Sequence, residues 1–327
     1  MAEVKGALNE VILFQVDAEK GDGVELAKKY QVKGYPTFVL VNSSEEPIDR
    51  WLGYAKDFFL ETMESALSDL STIDEKTKRF TDTPNVNDAD VLGRYNYALG
   101  EYISSVKYYR QAQQLNKDES KDYSNKIFQS ALRGAYRDQF TYDEVAEAAS
   151  AVFNSDKKES IVSTALSIAN FARRNEKTED MEKYLKLGLE ASSDNDDPDI
   201  QQNHYLMQAD YNLYVTGDKE AAVDFKKKTL KEGWNEDARG LNGFAWWCYE
   251  NTVNLDEAET LARKSAELSE PGKSKAMILD TVAHILKAKG DFEEAIKVME
   301  MAMAEDPDNE QWVETRDKFK KEMESQN

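Results

Sequence analysis

The sequence predicts a short α/β segment followed by an all-α array of about six helical hairpins closed by a capping helix. Three observations carry that reading. Pro36 heads an apolar run, Thr37-Phe38-Val39-Leu40-Val41, and a proline is tolerated at the mouth of a strand because its missing N–H costs no ladder bond there. Beyond residue 84 the apolar residues fall at helical spacing rather than in alternation. Within that region small residues and Gly-Asp turns recur at intervals close to a helical-repeat period.

Taken in order, Val11 to Asp17 reads as a buried strand and Val24 to Tyr30 as a short amphipathic helix. The Gly34-Tyr35-Pro36-Thr37 turn feeds a strand ending at Asn42, and Pro47 to Gly53 follows as a second, half-buried strand anchored by Ile48 and Trp51. Asp57 to Leu70 carries Phe58, Leu60, Met63, Ala66, Leu67 and Leu70 on one helical stripe. From Ser71 the pattern loosens: its first piece, Ser71 to Phe80, is expected to prolong the helix or form a short one, and Pro84 among Asn and Asp residues marks a boundary. The expected organisation is an α/β segment over 1–70, a linker over 71–84, helical repeats over 85–309 and a capping helix over 310–327.

The first segment resembles the C-terminal half of the thioredoxin fold over residues 8–70, with Tyr30, Val32, Gly34, Pro36, Thr37, Phe38 and Gly53 at that family's positions. The resemblance implies a cis peptide bond at Pro36 and makes Tyr35, Pro36 and Thr37 substrate-positioning residues. It also implies a Cys-x-x-Cys motif ahead of Val11, and Cys248 is the one cysteine in the chain. Dithiol exchange requires an attacking thiolate and a resolving partner within bonding distance, so the chain as it stands is not expected to catalyse it. In that fold the strand matching Val11 to Asp17 lies between two others. Their absence leads us to expect a truncated form of a longer protein, similar to bacterial thioredoxin-family proteins with C-terminal helical repeats, many of them exported.

The clearest repeat is Leu279 to Pro307, with Val282-Ala283, Leu286, Gly290-Asp291, Ala295-Ile296, Met299 and Ala302; it resembles the tetratricopeptide repeat. Leu92-Gly93 with Gly100, Tyr102, Ser105, Tyr109 and Ala112 is a second match, and weaker copies precede the last. Aligning the residue of closest approach in each second helix gives Ser105, Val145, Met181, Ala222, Ala258 and Ala295, spaced by 40, 36, 41, 36 and 37 residues. The fifth copy carries one extra residue in its turn, Glu250 to Asn254. A single repeat cannot bury its apolar face, so stacking into a continuous core is expected. Trp312, Val313, Arg316 and Phe319 mark the capping helix.

A net charge of −21 and an isoelectric point near 4.6 argue against phosphate-backbone binding and leave no nucleic-acid partner expected. A neutral or basic peptide fits that field better. No apolar run is long enough to span a membrane. Met1 to Glu10 lacks the basic start and apolar centre of an export signal, which reads as cytoplasmic unless a signal lies upstream. His204 and His284 lie far apart with no nucleophile or metal-ligand spacing, and Asp194 to Asp199 lacks the glycine and closing glutamate of a calcium loop; no cofactor or metal is expected. Phe244-Ala245-Trp246-Trp247-Cys248-Tyr249 places four aromatics on one helix, where they cannot share one side. Trp246, Trp247 and Tyr249 are the candidate groove aromatics, core packing being the alternative role. No Lys, Arg and Asn set of the kind that clamps a carboxylate in one tetratricopeptide subclass is found. The chain therefore reads as a non-catalytic protein-interaction scaffold, or as the C-terminal portion of a thiol-disulfide oxidoreductase.

Overall fold

Two antiparallel strands, β1 (Thr37–Val41) and β2 (Pro47–Leu52), form the sheet, with Phe38 opposite Trp51 and Leu40 opposite Asp49. The computed structural model describes residues 2–118 and 121–325, so the last two positions of the expected 310–327 helix lie outside the described residues. It divides the chain into two compact units, Met1–Lys177 and Thr178–Asn327.

The first unit begins with α1 (Ala2–Leu8) and α2 (Asp22–Lys29); α3 (Lys56–Ser68) and α4 (Ile73–Asp82) follow the strands. Phe38 stacks on Trp51 at 5.4 Å between ring centres, and Phe59 of α3 packs edge-on to both. Val4 and Leu8 of α1 join this cluster. Val11 to Asp17, expected as a buried strand, is irregular, and Ile12 and Phe14 are 98% and 76% exposed. The physical reason is that strand geometry needs a neighbour for its N–H and C=O groups. β1 and β2 take each other, and the described residues supply no third strand.

The stretch 71–84, expected as a linker whose first piece is helical, contains α4, a separate helix that reaches Asp82. Thr72 and Glu75 form a reciprocal capping box at its start, and Phe80 is buried. Lys76 is buried too, and its ammonium donates to the carbonyl oxygens of Ile48 (3.4 Å), Asp69 (2.9 Å) and Ser71. Arg79 bridges Asp69 and Asp88, fixing α4 against the helix that follows. β2 thus has helices on it from both directions in the chain.

That following helix is α5 (Val86–Leu99), paired with α6 (Tyr102–Leu115); α7 (Ser124–Ala135) pairs with α8 (Tyr142–Phe153), and α9 (Lys158–Arg174) completes the first unit. Gly93 lets α5 and α6 approach: a Cβ there would lie 2.6 Å from the Tyr109 ring. Ser105 Oγ sits 2.9 Å from both Gly93 O and Ser130 Oγ, tying α5, α6 and α7 together.

The second unit opens with α10 (Thr178–Ala191) and then holds three helical pairs. These are α11 (Pro198–Tyr211) with α12 (Lys219–Lys228), α13 (Ala238–Glu250) with α14 (Leu255–Leu268), and α15 (Lys273–Ala288) with α16 (Phe292–Glu305). α17 (Glu310–Glu324) packs on α16, burying Trp312 and Phe319.

All six residues aligned as closest contacts, Ser105, Val145, Met181, Ala222, Ala258 and Ala295, are buried. Five of them donate their N–H to the residue that opens the second helix, Glu101, Thr141, Asp218, Asn254 and Asp291, so they occupy the same place in the first helical turn. The turns between helices share a second feature. Gly100, Asp138, Glu176, Thr252 and Gly290 are left-handed, and the next residue in each case donates to a carbonyl five residues back. Including Gly217, the left-handed residues are spaced by 38, 38, 41, 35 and 38. The late fourth turn follows a π-helical turn, Asn212–Thr216, which lodges the additional residues. Thr252 and Asn254 are both left-handed, which accommodates the extra residue of the fifth turn.

Left-handed backbone costs an L-residue roughly 1–2 kcal/mol, and most for a β-branched one. Thr252→Gly is therefore expected to stabilise the second unit by about 1 kcal/mol after the entropy of the added glycine is charged against it. Gly290→Thr at the equivalent place should destabilise by a similar amount. Urea denaturation of the two variants checks this, and shifts of the same sign would contradict it.

Candidate protein-binding face

The first helices α13 and α15 and the start of α17 border a groove of about 790 Å³ in the second unit. α13 contributes Asn242, Gly243 and Trp246; α15 contributes Met277, Asp280 and Thr281. Asp306, Asp308 and Glu310 stand at the α16–α17 turn, and Lys273 at the start of α15. The 38-residue interval that separates the turns also relates Asn242 to Asp280, Gly243 to Thr281 and Trp246 to His284, so successive helices present equivalent positions.

Trp246 and Tyr249 are three residues apart on α13 and therefore share a side. Their rings are 5.0 Å apart, and His284 of α15 lies edge-on to both, at 5.8 and 5.3 Å. His284 contacts Phe319 of α17 on its other side at 5.1 Å, so one imidazole joins three helices. Burial disfavours its charged form, but Asp280 outweighs that. His284 Nδ1 lies 2.9 Å from the Asp280 carbonyl oxygen and 3.3 Å from Oδ1, and the net effect raises the imidazole above its ordinary value.

Trp247 does not join them. It stacks on Phe244 at 6.1 Å and lies under the Lys226 ammonium of α12; both it and Tyr249 pack against the core, which leaves Trp246 as the aromatic of the three that lines the groove. Cys248, one residue further, is fully buried, and burial pushes its thiol up to about 12. It is expected to resist DTNB in the folded chain at pH 8 and to react fully in denaturant. Stoichiometric labelling of the native chain would contradict this.

Met277, 61% exposed, is a large apolar side chain left uncovered on this face. Asn242 Oδ1 is shielded from solvent and has no hydrogen-bond partner. Of the charged lining groups, Asp306 accepts from Trp312 Nε1 at 3.3 Å and Asp280 pairs with His284, whereas Asp308 and Glu310 make no ion pair among the described residues. The lining therefore offers an aromatic edge, a thioether and hydrogen-bond acceptors. The sequence marked Trp246 and Tyr249; Asn242, Met277 and Asp280 carry no motif, and only their 38-residue correspondence could have pointed to two of them.

Tyr35, Pro36 and Thr37 lie in the first unit. The Tyr35–Pro36 peptide bond is cis, and Tyr35 is 61% exposed. Thr37 Oγ1 donates to Gly34 O at 2.7 Å, and Pro36 O accepts from Gly53 N at 2.8 Å, which closes the start of β1 onto the end of β2. Among the described residues no cluster of three or more His, Cys, Asp or Glu could hold a metal, and no helix is long and apolar enough to cross a membrane.

Residues 278–309 match the sequence model of the tetratricopeptide repeat. The match covers most of α15, all of α16 and the turn that enters α17, which places one wall of the groove on the matched repeat. No curated protein matches the chain. Among solved structures it is similar to the TPR2AB-domain:pHSP90-complex of yeast Sti1, at 15% identity, over 72% of this chain and 96% of that chain. The TM-score is 0.26, too low to equate the two folds.

Proposed function

We propose that the chain is a protein-interaction scaffold whose α13–α15–α17 face takes an extended peptide. The observation that carries this is the groove itself. Trp246 and Met277 present apolar surface there that the core does not use, beside an acceptor, Asn242 Oδ1, that lacks a partner. Buried polar atoms without partners are rare in folded chains, and half-buried aromatics such as Trp246 beside a cleft are the usual anchors of peptide recognition. The matched tetratricopeptide repeat supports the same reading, because such arrays stack helices into binding surfaces. We take 85–309 as the repeat region and the segment before it as its support.

The test is selection from a displayed random-dodecapeptide library on the full chain and on Trp246→Ala. Peptides should enrich on the former and bind the variant at least tenfold more weakly. No enrichment, or peptides indifferent to Trp246, would refute the groove as the binding face.

A second reading treats residues 8–70 as part of a thioredoxin-like domain. The order α2, β1, β2, α3 and the unpaired, apolar Val11 to Asp17 segment favour it. In that reading Tyr35, Pro36 and Thr37 position a substrate for a cysteine pair supplied from elsewhere. Disulfide reduction by the purified chain above the dithiol background would overturn the non-catalytic assignment. Coding sequence in frame upstream of Met1, with a Cys-x-x-Cys motif, would support the thioredoxin-like reading.

A further inference from the structure

The peptide-binding reading leaves open what the ligand carries, and the groove's electrostatics narrow it. Its lining holds four carboxylates, Asp280, Asp306, Asp308 and Glu310, against one ammonium, Lys273. Asp306, Asp308 and Glu310 make no ion pair among the described residues; Asp306 accepts from the neutral Trp312 indole, whereas Asp308 and Glu310 flank the entrance to α17. Two of the N–H groups at that helix start, which would otherwise attract an anion, are engaged by Asn309: its Oδ1 accepts from Gln311 N at 3.1 Å and its carbonyl oxygen from Trp312 N at 3.3 Å. Across the groove stands Trp246, the aromatic side chain with the strongest attraction for a cation over its face. Met277 supplies an apolar surface along which an aliphatic stem can lie. Asn242 Oδ1, like the carboxylates, can only accept a hydrogen bond.

Resting on the peptide-binding reading above, we propose that this groove receives a lysine or arginine side chain of the bound peptide. The aliphatic stem lies on Met277, and the cation sits between Trp246 and the Asp308 and Glu310 carboxylates. Lys273 is the local opponent of such a ligand. It sets the sign of a decisive substitution, because removing a like charge helps a cation and removing an opposite charge harms an anion.

The experiment uses the dodecapeptides enriched on the full chain, sequenced and then synthesised with a fluorescein label for anisotropy titration. The expected result is a basic residue at one fixed place in the enriched peptides. Its replacement by norleucine, or the paired change Asp308→Asn and Glu310→Gln, should raise Kd about tenfold, the size of one well-placed charge contact. Lys273→Met should lower Kd, and all three differences should shrink as ionic strength rises. Enriched peptides that lack a basic residue but still depend on Trp246 would overturn this proposal and leave the scaffold reading standing. A higher Kd for Lys273→Met would assign the groove to an acidic ligand and overturn it as well. No enrichment at all would remove both readings. Asp308 and Glu310 make no ion pair among the described residues, so their neutral variants should keep the fold, which circular dichroism checks.

Discussion

Asp49→Ala is expected to cost about 3–5 kcal/mol of stability in the first unit, the penalty of leaving a buried charge without its partner. Asp49 and Arg94 are 1% and 6% exposed. The Asp49 carboxylate accepts from Arg94 Nη2 at 2.6 Å and from its own neighbour's amide, Arg50 N, at 2.6 Å. Burial raises the Asp49 carboxyl from its ordinary value, and Arg94 pulls against that rise. Arg94 in turn is held charged, with Asp90 3.6 Å from its Nη1 as a second and more exposed partner. This pair ties β2 to α5, while Phe59 and Lys76 hold the strands to α3 and α4, so the loss should loosen the β2–α5 contact first. The double variant Asp49→Leu with Arg94→Met removes both charges and should recover most of the stability, because a buried pair often contributes little beyond an apolar substitute. Chemical denaturation of the two single variants and the double variant measures the coupling. A mild Asp49→Ala phenotype, below about 1 kcal/mol, would show that the pair does not hold the strand.

Phe319→Ala is expected to cost about 3–5 kcal/mol in the second unit, the usual range for deleting a buried aromatic ring. Phe319 is 1% exposed and packs edge-on to His284, with the Lys287 ammonium over its ring. Trp312 is the other buried residue of α17, and its remaining contacts are partly exposed: Glu322 pairs with Lys287 at 2.7 Å, Arg316 reaches Met303, and Met323 packs against the core. The expected consequence is loss of amide protection along α17 before any loss in α13 or α14. Since α17 forms one side of the groove, peptide binding should weaken in the same variant. Unchanged exchange in α17 would mean that Trp312 alone anchors it.

How much of this was written in the sequence depends on the kind of signal. Gly290-Asp291 with Ala295 announces its hairpin because glycine is the natural left-handed residue and alanine the natural close contact. Asp138, Glu176 and Thr252 do the same turning work without glycine, so the first two copies read as degenerate and the third as moderate although their backbone geometry is alike. The late turn at Gly217 has a local cause, the π-helical turn before it, which no composition rule flags, and the 40-residue interval from Ser105 to Val145 comes from a longer turn after Asp138. Thr72 and Glu75 spell a capping box inside the stretch assigned to a linker, and the loose apolar pattern around them leaves open whether the preceding helix continues or a new one starts; the burial of Lys76 among carbonyls is what no pattern shows. Val11 to Asp17 was misjudged for a different reason. Apolarity and β-branching report that a segment suits a strand, and they say nothing about whether a neighbour is present to pair with it. At the groove, the aromatic run made Trp246, Trp247 and Tyr249 equal candidates; Trp246 lines the groove, while Trp247, turned about 100° from it by one helical step, and Tyr249 pack against the core. Asp280 and Asn242 were not legible, because a carboxylate or an amide on a helix is ordinarily a solvated surface group, and their significance comes from what the fold places opposite them.

Hydrogen exchange of the full chain, with and without a display-selected peptide at saturating concentration, tests the central claim most directly. Binding at the first-helix face predicts slowed exchange confined to the Asn242–Trp246 and Met277–His284 segments and the first turn of α17. Protection that falls instead on the second helices α14 and α16, or within the first unit, would contradict it.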